Sequence, residues 1–254
     1  MPELLISIVS HRQGKLVAAL LEDLRRVAPS LDAVVALTLN VPEPLPFDPG
    51  GQPFPLKLIE NPAPRGYSAN HNAAFRAVGS RYFCVLNPDI RFQEVPFPAL
   101  TALLSRERVG VAAPLVVDER GEIEDSARRV PTPWSILAKA AGRSAKLEYP
   151  IGSDVFYPHW AAGMFLAFRS DLFSRLGGFD ERYFLYYEDV DLCCRVRLAG
   201  FRVAVDPTVR VVHAARRESH RNLSYLGKHL ASMTRFFLSP VFFRSLRLAT
   251  DEPT

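Results

Sequence analysis

The first third of the chain alternates short apolar runs with helical patterns. Residues 4–10 form an apolar run rich in β-branched side chains, and leucines at helical spacing follow at 16–24. Residues 31–39 and 56–59 repeat the strand pattern. Between them, residues 41–55 are dense in proline, which donates no hydrogen bond to a sheet, so we interpret this stretch as a surface loop.

The alternation continues beyond this loop. Residues 70–78 have a helical pattern, residues 82–86 form a short buried strand, and Asn87-Pro88-Asp89 ends that strand with turn chemistry. Strands that alternate with helices predict an α/β fold with a doubly wound sheet, in which ligands bind beyond the carboxyl ends of the strands. Four polar residues follow these strand ends: Ser10, His11, Asn87 and Asp89.

The second half is less regular at first. Residues 116–158 contain several prolines and glycines, and we interpret them as a lid or an acceptor-side connection. After them the pattern predicts a strand at 164–168, a short helix at 171–176, a helix at 189–199 that Gly200 ends, and strands at 201–205 and 209–212. We therefore expect a main domain over residues 1–220, with a nucleotide-binding half at about 1–115 and an acceptor half at about 116–220. Residues 221–254 would form a C-terminal helical extension.

Composition and charge narrow the class of protein. A chain of 254 residues with 48 % hydrophobic side chains supplies the core of one large α/β domain. No apolar run approaches the roughly 18 residues that span a bilayer, and the N-terminus lacks the features of a signal peptide, so we expect a cytoplasmic protein. The net charge of +4 comes from a local excess of basic residues in the C-terminal quarter, and we expect no nucleic-acid partner.

The C-terminal segment, residues 223–248, mixes aromatic and aliphatic side chains with basic ones. Two interpretations stay open. The segment could lie on an anionic bilayer, peripheral to the inner face of the cytoplasmic membrane, or it could pack its apolar face on the domain.

Two acidic motifs carry candidate chemistry. Asp89 places a carboxylate just past a buried strand, where a hard divalent cation could bridge it to two phosphates; the alternative is a plain Asx-turn. The segment 177–192 combines aromatic residues with five carboxylates, three of which crowd the predicted start of a helix: Glu188, Asp189 and Asp191. Capping of the helix N-terminus accounts for only one of these three carboxylates. A carboxylate beside aromatic rings is also suited to act as the general base that activates a sugar hydroxyl.

Two weaker motifs accompany them. His213 follows a predicted strand and could help to bind a metal or a diphosphate, although a lone histidine is more often structural. Residues 61–72 place Gly66, Asn70 and other small polar residues before a helix, where backbone amides can meet an anion or a ribose. Capping and turn formation explain this second stretch equally well.

Taken in order, these motifs resemble those of the family 2 glycosyltransferases, especially the bacterial rhamnosyltransferase-like members that build surface polysaccharides. The resemblance covers roughly residues 4–219. It depends on the first strand, on residues 61–72, on Asn87-Pro88-Asp89 and above all on residues 177–192, followed by Gly200 and His213.

The resemblance implies a GT-A fold with a doubly wound mixed sheet, a nucleotide-sugar donor held with a divalent metal, magnesium or manganese, and inversion at the anomeric carbon. Asp89 matches the last aspartate of the family's Asp-x-Asp-like motif, whose first position is Asn87 here. Asp189 matches the position of the catalytic base, with Glu188 as its neighbour, and His213 matches a histidine near the metal or diphosphate. We predict metal binding by Asp89 and His213 and catalysis by Asp189 and Glu188.

The chain departs from the family at the second strand, where Asn40 stands in place of an aspartate that contacts the base or ribose. This departure leaves open the choice between the two donors considered, a dTDP-sugar and a UDP-sugar. We predict that the following residues bind the donor: Ser10, His11, Asn40, Gly66, Asn70, Asn87 and Asp89. We predict that the following bind the acceptor, a glycan or a lipid-linked saccharide: Trp160, Gly163, Tyr186 and Tyr187.

The predicted activity is transfer of a sugar, with rhamnose as one candidate, to an acceptor hydroxyl in surface polysaccharide synthesis. Two alternatives stay open. A sugar-nucleotide nucleotidyltransferase would need a glycine-rich, lysine-bearing loop after the first strand, and residues 10–15 match this poorly. A non-catalytic carbohydrate-binding or partner subunit could keep the fold, but the chain retains Asp89, Glu188, Asp189 and His213 together.

Overall fold

The computed structural model describes residues 1–27, 31–143, 147–214 and 223–250. The strands within these ranges are β1 (Leu4–His11), β2 (Ala33–Val41), β3 (Leu56–Glu60), β4 (Tyr82–Leu86), β5 (Ile90–Arg91), β6 (Val109–Val117), β7 (Ala127–Arg128), β8 (Trp160–Ala161), β9 (Phe165–Arg169) and β10 (Arg202–His213). The helices are α1 (Gly14–Val27), α2 (Tyr67–Ala77), α3 (Phe97–Leu104), α4 (Pro133–Ala140), α5 (Ser170–Arg175), α6 (Glu188–Leu198), α7 (Leu223–Phe237) and α8 (Pro240–Thr250).

The main sheet is mixed and has the strand order β3-β2-β1-β4-β9-β6-β10-β5. Strands β1 to β4 are parallel to one another, and β6 is parallel to β10. Strand β9 runs antiparallel between β4 and β6, and β5 pairs antiparallel with β10. A separate two-stranded ribbon joins β7 to β8. This architecture confirms the predicted α/β fold with a doubly wound mixed sheet and C-terminal helices.

Helices cover both faces of the sheet, which is why its central strands are apolar throughout rather than alternating. One core cluster packs α1 and α3 against the sheet, and the other packs α2, α5, α6 and the C-terminal helices against the opposite face. All residues of β4 and β6 are buried. The carboxyl ends of β1, β2 and β4 therefore lie at one rigid edge of the sheet.

Some elements differ from the sequence pattern. The irregular region at 116–158 contains the ribbon strand β7 and the helix α4. Strand β10 is continuous, although two strands were predicted there, because a bulge between Asp206 and Arg210 accommodates Pro207 without ending the pairing with β6.

The C-terminal extension forms two helices, and Pro240 begins the second. Phe236 and Phe242 are buried in the core cluster that includes α6, so part of the apolar face packs on the domain. No helix within the described ranges is long and apolar enough to cross a membrane. Contact of this segment with a membrane surface stays a prediction. The basic residues Arg216, Arg217 and Arg221, which precede the segment, lie outside the described residues.

Candidate active site

Asp89 lies in the turn between β4 and β5, at the edge of the sheet. Asn87 fixes this turn, because its N–H donates to the carbonyl of Met164 at 2.8 Å and its carbonyl accepts from the N–H of Ile90 at 3.2 Å. Ile90 pairs with His213 at the end of β10. That pairing brings His213 Nε2 to 3.4 Å from Asp89 Oδ2, so the structure brings together two of the residues that the sequence singled out.

His213 also contacts a residue that the sequence analysis missed. Its Nδ1 lies 2.9 Å from Oε2 of Glu124, which belongs to the irregular region and has no motif around it. Burial lowers the pKa of His213, but hydrogen bonds with Asp89 and Glu124 outweigh burial and raise it to about 9. The imidazole is therefore charged at neutral pH and holds the two carboxylates together. To bind a metal ion through nitrogen, it would first have to release a proton.

The surroundings of Asp89 fit a divalent cation. Its Oδ1 is buried and has no hydrogen-bond partner among the described residues, a costly arrangement unless another group binds there. Within the described ranges, no group of three or more His, Cys, Asp and Glu side chains is arranged to hold a metal ion. Asp89 thus fits a cation that takes most of its ligands from phosphate oxygens and water, as magnesium does.

Asp189 lies at the start of α6, where two unusual residues precede it. Tyr186 and Tyr187 have left-handed backbone angles, with φ of 70° and 67°, which are rare for bulky side chains. This turn aims the Asp189 carboxylate so that Oδ1 accepts from the N–H of Val190 at 2.8 Å and Oδ2 accepts from the N–H of Gly163 at 2.8 Å. Burial raises the pKa of Asp189 above the usual 3.8, although these two hydrogen bonds oppose the rise.

Glu188 is more deeply buried than Asp189. Its Oε2 has no hydrogen-bond partner within the described part of the chain. Burial and the adjacent charge of Asp189 raise the pKa of Glu188 well above its usual range. The two neighbouring carboxyl groups are therefore unequal, because Asp189 accepts two backbone hydrogen bonds that favour its charged form.

Gly163 and Met164 connect the two acidic motifs. The Gly163 N–H binds Asp189, the Gly163 carbonyl accepts from the Tyr67 hydroxyl at 2.5 Å, and the Met164 carbonyl accepts from the N–H of Asn87. Two consecutive residues before β9 thus fix the loop of Asp89 and the helix start of Asp189 relative to each other. Gly163 has no side chain to occupy the space beside the Asp189 carboxylate, and a Cβ there would lie 3.4 Å from Asp189 Oδ2.

The start of α2 binds the aromatic and acidic segment. The N–H of Tyr67 donates to the carbonyl of Phe184 at 2.8 Å, and the Ser68 hydroxyl donates to the carbonyl of Tyr183 at 3.0 Å. Gly66 permits this approach, because a Cβ there would lie 2.8 Å from the Phe184 carbonyl oxygen. Gly66 was predicted to bind the donor, and its position gives it a packing role that the sequence did not reveal.

Asn40 belongs to a buried network of amides. Its Oδ1 accepts from Asn61 Nδ2 at 2.9 Å and from the N–H of Arg65 at 2.7 Å, while its Nδ2 donates to the Arg65 carbonyl at 2.9 Å and lies 3.2 Å from His11 Nδ1. Asn61 also donates to Asn70 Oδ1 at 2.6 Å. The four hydrogen-bonding positions of Asn40 are therefore occupied, and a contact with a nucleotide would have to displace one of them.

The other predicted residues divide between the two sides of the site. The Ser10 hydroxyl donates to Glu43, which also accepts from the N–H of Gly14, so Ser10 fixes the loop after β1. Trp160 donates its indole N–H to the Arg129 carbonyl at 2.8 Å, and the guanidinium of Arg128 lies 5.5 Å from the Trp160 ring centre. Tyr187 packs on Phe236 of α7, with ring centres 5.5 Å apart.

Comparison with known proteins decides the family. No protein-family model matches the chain. The N-acetylglucosaminyl-diphospho-decaprenol L-rhamnosyltransferase of Mycobacterium tuberculosis is 30 % identical over an alignment of 214 positions, and the match covers 72 % of this chain and 67 % of that protein. The rhamnosyltransferase WbbL of Escherichia coli is 31 % identical over an alignment of 187 positions, and the match covers 67 % of this chain and 69 % of that protein. This chain belongs to the family 2 glycosyltransferases.

Solved structures show that the glycosyltransferase has the GT-A fold. A mannosyltransferase from Pyrobaculum calidifontis in complex with GDP-Man and Mn²⁺ aligns with a TM-score of 0.59 at 16 % identity and covers 100 % of this chain and 76 % of its own. GalNAc-T7, solved with UDP, GalNAc and Mn²⁺, aligns with a TM-score of 0.64 at 16 % identity. This chain spans 45 % of the length of GalNAc-T7, and the match covers 86 % of this chain.

The geometry of this glycosyltransferase separates two chemical tasks. On one side, Asp89 presents a buried carboxylate oxygen that has no hydrogen-bond partner among the described residues, next to a charged histidine. On the other side, Asp189 presents an oriented carboxylate whose pKa is raised by burial. The first arrangement suits binding of an anionic leaving group through a cation, and the second suits proton removal from a hydroxyl.

Proposed function

We propose that this glycosyltransferase transfers a sugar, with inversion, from a nucleoside-diphosphate donor to a hydroxyl group of a glycan or lipid-linked acceptor in surface polysaccharide synthesis. One observation carries the proposal. The consecutive residues Gly163 and Met164 bind the Asp189 carboxylate and the loop of Asp89, respectively, so the base and the diphosphate site belong to one rigid unit. Such fixed relative positions are what a single-displacement reaction between two substrates requires.

On the acceptor side, Asp189 removes the proton of the attacking hydroxyl. Its two hydrogen bonds from backbone N–H groups hold the carboxylate in one orientation, and its raised pKa makes it a stronger base than an exposed aspartate. The acceptor oxygen forms a bond to the anomeric carbon as the bond from that carbon to the diphosphate oxygen breaks. The proton ends on Asp189 and the electron pair on the diphosphate, and attack from the opposite face inverts the configuration.

On the donor side, Asp89 and His213 hold the diphosphate. Asp89 Oδ1 is the atom that would bind a magnesium or manganese ion, and that ion would neutralise the charge of the departing diphosphate. His213 is positively charged next to Asp89, so it adds a second attraction for the same phosphates. Burial and the charge of Asp189 raise the pKa of Glu188, which disfavours a second negative charge beside the base.

The names of the relatives guide the choice of substrates. Two relatives are named as rhamnosyltransferases, and one of these names specifies a diphospho-decaprenol carrier. A dTDP-linked rhamnose is therefore the first donor to test, with UDP-sugars second, and a saccharide linked to an isoprenoid diphosphate is the first acceptor.

A donor screen followed by a product assay tests the proposal. Thermal unfolding of the protein would be followed with dTDP, UDP, GDP and their sugar conjugates, with manganese or magnesium and with EDTA. We expect one nucleotide class to raise Tm only when the metal is present, and the matching sugar to appear in the acceptor with inverted anomeric configuration by NMR. Retention of configuration, or incorporation of nucleotide rather than sugar, would overturn the proposed mechanism.

A further inference from the structure

Helix α4, Pro133–Ala140, is a surface helix with an apolar face that nothing in the described structure covers. A capping box formed by Thr132 and Ser135 defines its start, yet none of its eight residues is buried. Trp134 is 80 % exposed and Leu137 is 59 % exposed. These two residues are three apart and lie on the same side of the helix. A large aromatic side chain left in water costs free energy unless it has a partner.

The surroundings of α4 are basic. Between Asp125 and Glu148 the sequence has no acidic residue, and it has five basic ones: Arg128, Arg129, Lys139, Arg143 and Lys146. Lys139 lies on α4 itself and pairs with Asp125 at 2.7 Å, and Asp125 also pairs with Arg128 at 3.0 Å. This carboxylate offsets part of the positive charge, and Arg143, exposed just after the helix, adds to the excess that remains. A short helix that combines an exposed tryptophan and leucine with flanking basic residues has the composition of a segment that lies in the interface of an anionic bilayer.

The exposed surface of α4 is connected to the acceptor side of the active site. The chain that leads into α4 is joined to the acceptor side, because the Arg129 carbonyl accepts from the Trp160 indole and the N–H of Val130 donates to His159 Nδ1 at 3.1 Å. Trp160 is only three residues before Gly163, which binds Asp189. A membrane surface that contacts α4 would therefore lie on the side of the site where the acceptor enters.

We propose that α4 is a membrane-docking helix: Trp134 and Leu137 insert into the headgroup region of an anionic bilayer, and the basic residues around them contact lipid phosphates. This inference rests on the proposed function in one respect, the lipid-linked acceptor that docking would bring to Asp189. Docking itself depends only on the exposed side chains and the charge. A bilayer fits better than a protein, since two side chains on two helical turns offer far less than the roughly 800 Å² that a stable protein interface buries on each partner.

Vesicle co-sedimentation tests docking without any need for activity. The double variant Trp134→Ser/Leu137→Ser would be compared with the unchanged protein on vesicles of phosphatidylcholine with and without phosphatidylglycerol. We expect the unchanged protein to bind the anionic vesicles and the double variant to bind at least about tenfold more weakly. Arg143→Gln should weaken binding by about fivefold on the anionic vesicles and have little effect on neutral ones.

Leu238→Ser is the matched control, because Leu238 is 75 % exposed but lies in the C-terminal segment. It should leave vesicle binding within about twofold of the unchanged protein. If Leu238→Ser abolishes binding and the double variant does not, the C-terminal segment is the docking surface and the inference is wrong. It is also wrong if vesicles do not bind the unchanged protein, or if the double variant changes only the oligomeric state in size-exclusion chromatography.

A second readout separates this inference from the proposed function. With a short, water-soluble acceptor, the double variant should transfer sugar as fast as the unchanged protein. With the acceptor embedded in anionic vesicles, its rate should fall along with its binding. If the unchanged protein binds vesicles but transfers no sugar to either acceptor, the proposed function fails while docking stands. If both acceptors are used equally well by both proteins, docking through α4 fails while the function stands.

Discussion

Gly163 donates its backbone N–H to Asp189 Oδ2 at 2.8 Å, and the Tyr67 hydroxyl binds the carbonyl of the same glycine at 2.5 Å. The orientation of the proposed base therefore depends on α2 as well as on its own helix. Tyr67 is buried, and burial together with the charges of Glu188 and Asp189 raises the pKa of its hydroxyl well above 10.0. It stays a hydrogen-bond donor at any working pH, so the arrangement does not loosen as the base takes up a proton.

Replacing Asp189 with Asn tests its role as the base. The amide keeps the size of the side chain and can still accept from Gly163, but it cannot take a proton. We expect kcat to fall by about 100- to 10,000-fold while the Kd of the donor stays within about twofold. Steady-state kinetics and donor titration measure the two quantities.

The control for this variant is Asp180→Asn in the same segment, where the carboxylate pairs with Arg182 on the surface at 2.6 Å. It should leave kcat nearly unchanged. In the unchanged enzyme, kcat/KM should fall as the pH falls through the pKa of Asp189, which lies above the usual 3.8. Near-normal transfer by the folded Asp189→Asn variant would show that another group removes the proton.

The sequence was sufficient to predict the alternation of strands and helices, because the strands that matter are short, apolar and separated by clear turns, but the antiparallel position of β9 was not visible in it. Asp189 could be singled out from its local chemistry, whereas Asp89 was also compatible with a plain Asx-turn until the family resemblance placed it. The family resemblance placed His213 near the metal or diphosphate, and the pairing of β5 with β10 brings it to 3.4 Å from Asp89. Metal binding by these two residues stays a prediction.

The sequence was not sufficient to predict contacts between residues that are far apart along the chain. Glu124 lies 89 residues before His213 and belongs to a stretch with no periodicity. Gly66 approaches Phe184 across 118 positions, and only the folded backbone shows why a side chain does not fit there. Asn40 could be recognised as a departure from the family, but the amide network that occupies it could not be predicted.

Replacing Asp89 with Asn tests the cation site. The amide offers a neutral oxygen to the ion, so we expect the affinity for manganese in the presence of nucleoside diphosphate to fall by at least about tenfold. Calorimetric titration of the diphosphate with and without manganese measures this directly. Chelation of the metal should reduce binding by the unchanged enzyme to the level of the variant.

Asp154→Asn is the control for general loss of negative charge, because Asp154 is exposed. Its metal-dependent affinity should match that of the unchanged protein. If Asp89→Asn keeps its dependence on manganese, the ion binds elsewhere and the donor-side assignment must be abandoned.

Gly66→Ala tests the contact between α2 and the segment that carries Asp189. The backbone of Gly66 has φ of −66°, which alanine adopts freely, so the only obstacle is the new Cβ, 2.8 Å from the Phe184 carbonyl oxygen. We expect a loss of about 1–3 kcal/mol in the free energy of unfolding and a lower kcat, because the Phe184 backbone must move.

The matched control is Gly152→Ala, since a Cβ at Gly152 would meet no atom within 4 Å. Its stability should not fall in urea titrations. Equal stability of the two variants would mean that the contact between Gly66 and Phe184 relaxes without cost.

Asp23→Asn tests how the donor side is held in place. Asp23 of α1 accepts from Arg91 at 2.6 and 2.9 Å and from the N–H of Phe92 at 3.2 Å, directly after the loop of Asp89. Burial by itself raises the pKa of Asp23, but the hydrogen bonds from Arg91 and Phe92 outweigh it and lower the pKa below 3.8. We expect the variant to lose about 1–3 kcal/mol, nearer the lower value because Arg91 is partly exposed to water.

The stability of Asp23→Asn should depend on pH less than that of the unchanged protein. A carboxylate whose pKa is lower in the folded state stabilises the protein above the unfolded pKa, and this contribution is lost as the pH falls through the folded value. The unchanged protein should therefore lose stability between neutral pH and the region below 3.8, whereas Asp23→Asn should lose less over that range. Asp32→Asn, on an exposed residue that accepts one hydrogen bond from Glu3, should behave like the unchanged protein. If urea titrations give Asp23→Asn and the unchanged protein the same pH profile, the Asp23–Arg91 contact does not stabilise the fold, and the position of Asp89 must depend on β4 and β10 alone.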